Sequence, residues 1–297
     1  MTVQAELVAL PPDEWRARAD THAARADALT AGHRARRARG ERHAIEDFLY
    51  EYYPAKPAQL RRWHPGAGVA LDPEPGGPAP HAAWRWYRVD DDGRTSVDTA
   101  TWCEERGETL RYVTELLAAT AARPAATGCF GLHEWAMVYR EDTHRHPLPL
   151  RLGGAGTDAV VEGHRIRCTH FDAFRFFTPA AVGRNTLQPT RTTQPSLEQP
   201  GCLHAAMDCY KWALKLGPLV PGELLLDCFE LAREIRTTDM QASPYDVSSY
   251  GLGPVAIETP EGKAEYVRRQ RDYAARSNAL RSRLIDACAV ARGVPPT

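Results

Sequence analysis

Residues 201–216 read GCLHAAMDCYKWALKL, and the helix they spell decides the fold. It places His204 and Asp208, four residues apart, on one face. Two longer helical stretches follow it, over about 221–241 and 260–291. Immediately upstream, residues 183–200 are polar and broken by Pro189, Pro195 and Pro200, so they read as a long irregular loop. A loop of that length inside a domain is usually functional or mobile.

Further towards the N-terminus the elements shorten. PLPLRL and RIRCTHF read as strands on either side of GGAGTD at 153–158, which reads as their hairpin turn. LHEWAMVYR fits a helix or a strand equally well. Residues 99–122 have helical spacing, and WRWYRV-DD-DGRTSVD over 84–98 reads as a β-hairpin. HPGAGVALDPEPGGPAP at 64–80 reads as a loop, His43–Tyr53 as a short helix, and Asp13 to about Arg39 as a long one opened by PPDEW. The expected fold is α+β: a mostly helical single domain with a small antiparallel sheet. Its parts would be an N-terminal helical arm over 1–42 and a catalytic domain over 43–297.

Composition sets limits on function. The chain has 297 residues, 43% of them hydrophobic and 25% charged, with a net charge of -1. That balance gives no global electrostatic signature for nucleic acid or membrane. Charge is uneven locally: RARRARGER at 34–42 carries five arginines, and Lys263–Arg283 carries seven basic and two acidic residues. Such faces suit a polyanion, or are simply solvated helix surfaces. No apolar run reaches the roughly 18 residues of a membrane span, so no membrane partner is expected. Seven scattered cysteines without a CxxC pair read as reduced thiols in a cytoplasm.

The chemistry concentrates in residues 129–212. His133 adjoins Glu134, His170 lies two before Asp172, and His204 four before Asp208. Burying such groups among Phe, Trp and Tyr costs several kcal/mol, roughly, unless each is paired or used. No HExxH, GxSxG or Walker loop occurs. A metal triad of two histidines and a carboxylate remains open from His133, His170, His204 and their acids, but no metal ligand or cofactor is assigned.

A carboxylate set among aromatic residues suits cleavage of a glycosidic bond, because it can stabilise a sugar cation and orient water. Asp172, beside Phe171 and before FRFF, leads, and Glu134 follows as the second catalytic candidate. Asp208 is third, with His204 or Arg191 as its expected partner. His133 and His170 would bind the base or a phosphate, with Arg175 near enough to Asp172 to help. The DFLYEYYPAKPAQLRRWHPG stretch interleaves Phe48, Tyr50, Tyr52, Tyr53 and Trp63 with Arg61, Arg62 and His64, a pattern able to stack a base and hold a backbone. Trp63, His64 and Arg191 would contact a flipped nucleotide, and Tyr245 and Asp246 in SPYD would form a pocket wall.

HAIEDFLYEYYPAKPAQLRRWHPG, GLHEWAMVYR, RHPLPLRLG, HFDAFRFFTP, EQPGCLHAAMDCYKWALKL and DMQASPYDV together resemble an actinobacterial family labelled 3-methyladenine DNA glycosylase. The likeness runs from about residue 40 to 280 and is unlike the helix-hairpin-helix glycosylases. The family is also similar to an anti-phage DNA glycosylase that removes glucosylated hydroxymethylcytosine. The resemblance implies a cofactor-free, monofunctional base-excision enzyme that flips a modified base from DNA, in repair or in phage defence. The catalytic assignments rest on local chemistry and not on the resemblance. A non-haem metal-dependent oxygenase or hydrolase, a nucleosidase on free modified nucleosides, and a non-enzymatic binding module are the competing readings.

Overall fold

The computed structural model describes residues 7–294. The first strand, β1 (Val8–Leu10), leads into α1 (Pro12–Ala38), which starts on Pro11-Pro12 with Asp13 and Glu14 in its first turn. Two single-turn helices follow, α2 (Phe48–Glu51) and α3 (Pro57–Leu60), and then strands β2 (Val69–Leu71), β3 (Tyr87–Val89) and β4 (Thr95–Val97). Asp98 opens α4 (Thr99–Ala121) by accepting the Thr101 N–H, as an N-cap should. Short helices carry the middle of the chain: α5 (Leu132–Ala136), α6 (Gly153–Glu162), α7 (Phe171–Phe174), α8 (Pro179–Val182) and α9 (Gln194–Leu197). Three long ones close it: α10 (Leu203–Leu216), α11 (Gly222–Gln241) and α12 (Pro260–Ala291).

The three C-terminal helices form where their spacing predicts them. α10 is the axis of the core, buried on nearly every side and packed against α11, α12 and α4. Gly201, at its entry, has no room for a Cβ, which would lie 2.4 Å from the Ala126 carbonyl oxygen. The α+β reading holds, mostly helical with a small sheet.

The sheet itself is mixed rather than purely antiparallel. Its order is β1-β2-β4-β3, with β2–β4 and β3–β4 antiparallel and β1–β2 parallel, Val8 facing Val69. A parallel pair needs a long crossover, and α1 with the two short helices after it provides one. β2 lies inside the proline- and glycine-rich stretch read as a loop. Three residues, Val69–Leu71, are enough, because Leu71 and Ala79 close a small core with Leu10, Trp15 and Trp63.

The glycine run at 153–158 is the start of α6 and not a hairpin turn. Val160 and Val161 bury one side of that helix, and Thr157 Oγ1 donates back to the Gly153 carbonyl at 2.7 Å. The flanking segments do not pair with each other: Leu150 bridges to Tyr245, and Ile166 to Asn185. Residues 43–53 close only one helical turn, α2, and the 183–200 loop contains α9.

α1 lies along the domain. Arg25 reaches Asp227 and Glu230 of α11, and the His22 ring meets the Leu60 carbonyl at 2.8 Å. The basic stretches are paired internally: Arg36 with Glu46, Arg39 with Glu41, Arg42 with Glu51, Arg276 with Glu234 and Arg283 with Asp227. Among the described residues no helix is long and apolar enough to cross a membrane.

Candidate active site

α10 presents His204, Asp208 and Lys211 on one face, at steps of four and three. Asp208 is fully buried. Its Oδ1 accepts from Tyr53 Oη at 3.1 Å, and its Oδ2 meets Lys211 Nζ at 3.0 Å and His170 Nε2 at 3.3 Å. Lys211 Nζ also donates to Asp172 Oδ2 at 2.6 Å. The ammonium therefore bridges one wholly buried carboxylate and one that faces outward.

Asp172 stands on α7, whose N-cap is His170: the ring Nδ1 accepts the Ala173 N–H at 3.3 Å. The free oxygen of Asp172, Oδ1, faces Arg175 Nε at 3.5 Å and Arg191 Nη2 at 3.7 Å. Burial pushes the Asp172 carboxyl up, but the hydrogen bond and charge of Lys211 outweigh it and leave the pKa below the ordinary value. Burial likewise lowers Lys211, but Asp208 and its neighbours outweigh that and leave it raised. Asp172 is thus an anion and Lys211 an ammonium at neutral pH.

These groups floor a cleft of about 430 Å³ lined by Glu51, Tyr52, Arg145, Asp172, Arg175, Arg191 and Lys211. Four cations against two acids make its rim positive. Arg191 lies over the Phe171 ring at 5.1 Å, and Arg145 and Arg175 over Phe176 at 4.7 and 4.6 Å. A wider depression of about 570 Å³ between Phe130 and Lys263–Arg271 has neither carboxylate nor imidazole among its lining residues.

Behind the cleft lies a second network. α5 supplies His133 and Glu134, and α11 supplies Arg236 and Asp239, all buried. His133 Nε2 meets Asp239 Oδ1 at 2.9 Å, and Arg236 Nη1 donates to Glu134 Oε1 and Asp239 Oδ2, each at 2.9 Å. The His204 ring stands between the two networks, edge-on to His133 at 4.5 Å and stacked with His170 at 5.3 Å. Glu198 completes the inner wall. His170 Nε2 lies 3.3 Å from its Oε1, Gln194 Nε2 donates to the same oxygen at 2.5 Å, and burial pushes its pKa up.

The fold brings Asp172 and Arg191 into the cleft, with His170 directly beneath. His133 and Glu134 lie one layer deeper. Trp63 and His64 line another region: Trp63 Nε1 donates to Glu223 at 3.0 Å, and His64 Nδ1 meets Tyr87 Oη at 2.8 Å, with burial lowering the His64 pKa to about 3. Tyr245 is buried against His146, and Asp246 caps the Ser248 N–H on an exposed turn. Of the aromatic stretch, Tyr52 reaches the cleft, while Tyr50 stacks on His33 at 3.7 Å. The partner of Asp208 is neither His204 nor Arg191 but Lys211, His170 and Tyr53.

Sequence reasoning missed Lys211 as a site residue, and with it Glu198, Arg236 and Asp239. Lys211 carries a legible signal, three residues after Asp208 and seven after His204 on the same face of a mostly apolar helix. Glu198 carries none, since EQPG reads as a solvated turn. Comparison with protein-family models, with curated proteins and with solved structures finds no match for this chain.

Proposed function

We propose that this chain is a monofunctional DNA glycosylase that hydrolyses the N-glycosidic bond of a modified base in the Asp172 cleft. The observation that carries the reading is Asp172 itself, a carboxylate 5% exposed and held ionised by Lys211 on the floor of an arginine-rimmed cleft. Such an anion stabilises the sugar cation that develops as the base departs, and its second oxygen orients the attacking water. Arg145, Arg175 and Arg191 stand where the phosphates flanking an extruded nucleotide would need cations. The cleft volume lies within the range of about 300–1,000 Å³ typical of small-ligand sites. A lysine kept as an ammonium is no amine nucleophile at neutral pH, which supports a route without a Schiff base. All seven cysteines are free, which supports a reducing, cytoplasmic setting.

The substrate is an alkylated base or glucosylated hydroxymethylcytosine, and the context repair or phage defence. The test is incubation with duplexes carrying N3-methyladenine, hydroxymethylcytosine or its glucoside, followed by an assay for alkali-labile abasic sites. Abasic sites from the wild type that disappear with Asp172→Asn are expected. Release of base from free nucleosides but not from DNA would instead make the protein a nucleosidase. Inactivity on both, from a folded protein, would overturn the reading.

A further inference from the structure

Five carboxylates are packed into the two networks at the floor of the cleft and behind it: Glu134, Asp172, Glu198, Asp208 and Asp239, none more than 6% exposed. Among the described residues Arg236 and Lys211 bring fixed positive charge to them, and, against the effect of burial, the carboxylates hold His133 and His170 towards their protonated forms. The rim arginines reach Asp172 alone. Buried negative charge in such excess requires protons or a bound cation, because an isolated ion in a low-dielectric interior is strongly disfavoured.

One cluster is built for the cation. Ligand-capable atoms of His133, Glu134, His204 and Asp239 lie within 4.8 Å of one another, and all four residues are buried. His204 is 5% exposed, and its Nδ1 has no hydrogen-bond partner. A buried imidazole nitrogen without a partner is out of place beside two carboxylates, unless something absent from the polypeptide engages that ring.

We propose that His133, Glu134, His204 and Asp239 bind a divalent first-row transition-metal ion. Two imidazole nitrogens and two carboxylate oxygens suit Zn²⁺ or Fe²⁺ rather than Ca²⁺ or Mg²⁺, which prefer all-oxygen shells. A tetrahedral ion with ligands at about 2.0–2.1 Å sets them roughly 3.3 Å apart. The widest pairs of the cluster would therefore close by up to about 1.5 Å through side-chain rotation, while His133 Nε2 and Asp239 Oδ1, now 2.9 Å apart, would open slightly. Arg236 already holds Glu134 Oε1 and Asp239 Oδ2, which leaves Glu134 Oε2 for the ion, while His133 Nε2 and Asp239 Oδ1 would exchange their mutual hydrogen bond for it. Arg236 would act as the positioning residue that orients both carboxylates. The four ligands come from α5, α10 and α11, so the ion would pin together elements far apart in sequence.

The experiment uses the full chain, treated with EDTA and checked for native circular dichroism, with Zn²⁺ as the probe. Titration calorimetry should give one ion per chain. The melting temperature should rise by about 4 °C with zinc held about 100-fold above its Kd. Cobalt substitution should give the visible bands of a tetrahedral site. His204→Gln should weaken zinc binding at least about 100-fold by removing one of four ligands. Should that variant misfold, the wild-type stoichiometry and melting shift decide. Fewer than about 0.2 ions per wild-type chain without a melting shift, or equal zinc affinity in a folded His204→Gln, would overturn the proposal. These readouts do not involve base excision, so the metal site and the glycosylase reading fail separately.

Discussion

Replacing Lys211 by Met keeps the aliphatic stem and removes one charge. In the wild type that charge lies 2.6 Å from Asp172 and 3.0 Å from Asp208. Asp208 is fully buried and Asp172 nearly so, and among the described residues no other lysine or arginine lies within 4 Å of Asp208. Stranding a buried charge by deleting its partner costs about 3–5 kcal/mol, against about 0–1 kcal/mol for an exposed pair. With an unfolding entropy of about 2.1 cal/mol/K per residue, a chain of this length should lose about 5–8 °C in melting temperature.

The pH dependence gives a sharper signature. In the wild type Asp172 and Asp208 both have folded pKa values below those of the unfolded chain. Their contribution is complete above the ordinary carboxylate range and is lost as pH falls through about 4 and below. Without Lys211, burial acts on them with less opposition and lifts the folded pKa above the unfolded one. The sign then reverses, and lowering pH from 7 towards 5 should partly restore the variant. Urea denaturation followed by tryptophan fluorescence at pH 7, 6 and 5 measures both. A deficit below about 1 kcal/mol at pH 7, or one that does not shrink on acidification, would refute the claim that Lys211 is the counter-ion of this site.

Arg236→Met should likewise cost about 3–5 kcal/mol, because Glu134 and Asp239 are buried with it, whereas Arg42→Ala, whose pair with Glu51 is 72% and 55% exposed, should cost under about 0.5 kcal/mol. Equal losses in denaturant would contradict the burial argument. Gly262→Ala places a Cβ 1.9 Å from the Ala256 carbonyl oxygen at the start of α12 and should destabilise by about 1–3 kcal/mol, while Gly154→Ala, with open space in α6, should stabilise by about 0.4–1 kcal/mol. Thermal melts of the two should move in opposite directions. If Arg145, Arg175 and Arg191 each hold a phosphate, the log–log salt slope of DNA binding should be about −2.7, and Arg191→Ala should flatten it by about 0.9. A slope unchanged in Arg191→Ala would remove that residue from the DNA contact.

The large helices are legible because each carries many apolar positions, so their periodicity outweighs local noise. Elements of three to five residues are not. β2 is three residues between Gly68, at a φ of 81°, and the prolines from Pro73 on, and what makes it a strand is β1, some sixty residues away. The glycine run at 153–158 has the composition of a turn, but the segments on either side find their hydrogen-bond partners at Tyr245 and Asn185 and leave the glycines to coil into α6. In both cases a tertiary partner overrides a local preference, and no window of sequence contains that partner.

The site follows the same logic more strictly. None of the three histidine–acid pairs adjacent in sequence is a pair in the structure. His133 meets Asp239 while Glu134 goes to Arg236; His170 meets Asp208 and Glu198 while Asp172 goes to Lys211; and His204, among the described residues, shares no hydrogen bond with Asp208. Side chains one or two apart in a helical turn point in different directions, so the hydrogen-bond partners of His133 and Glu134, and of His170 and Asp172, come from other elements, while His204 and Asp208 share a face of α10 without bonding each other. What does mark the site is a charge in a core stripe. On α11 the buried series Leu225, Phe229, Ala232, Arg236, Asp239 keeps steps of four and three through its polar members, and on α10 His204, Asp208 and Lys211 do the same. A charged residue at such a position must draw its partner from another element. Two stripes that each carry charges of both signs therefore point towards a shared site between the helices that bear them, and α10 and α11 are packed directly together.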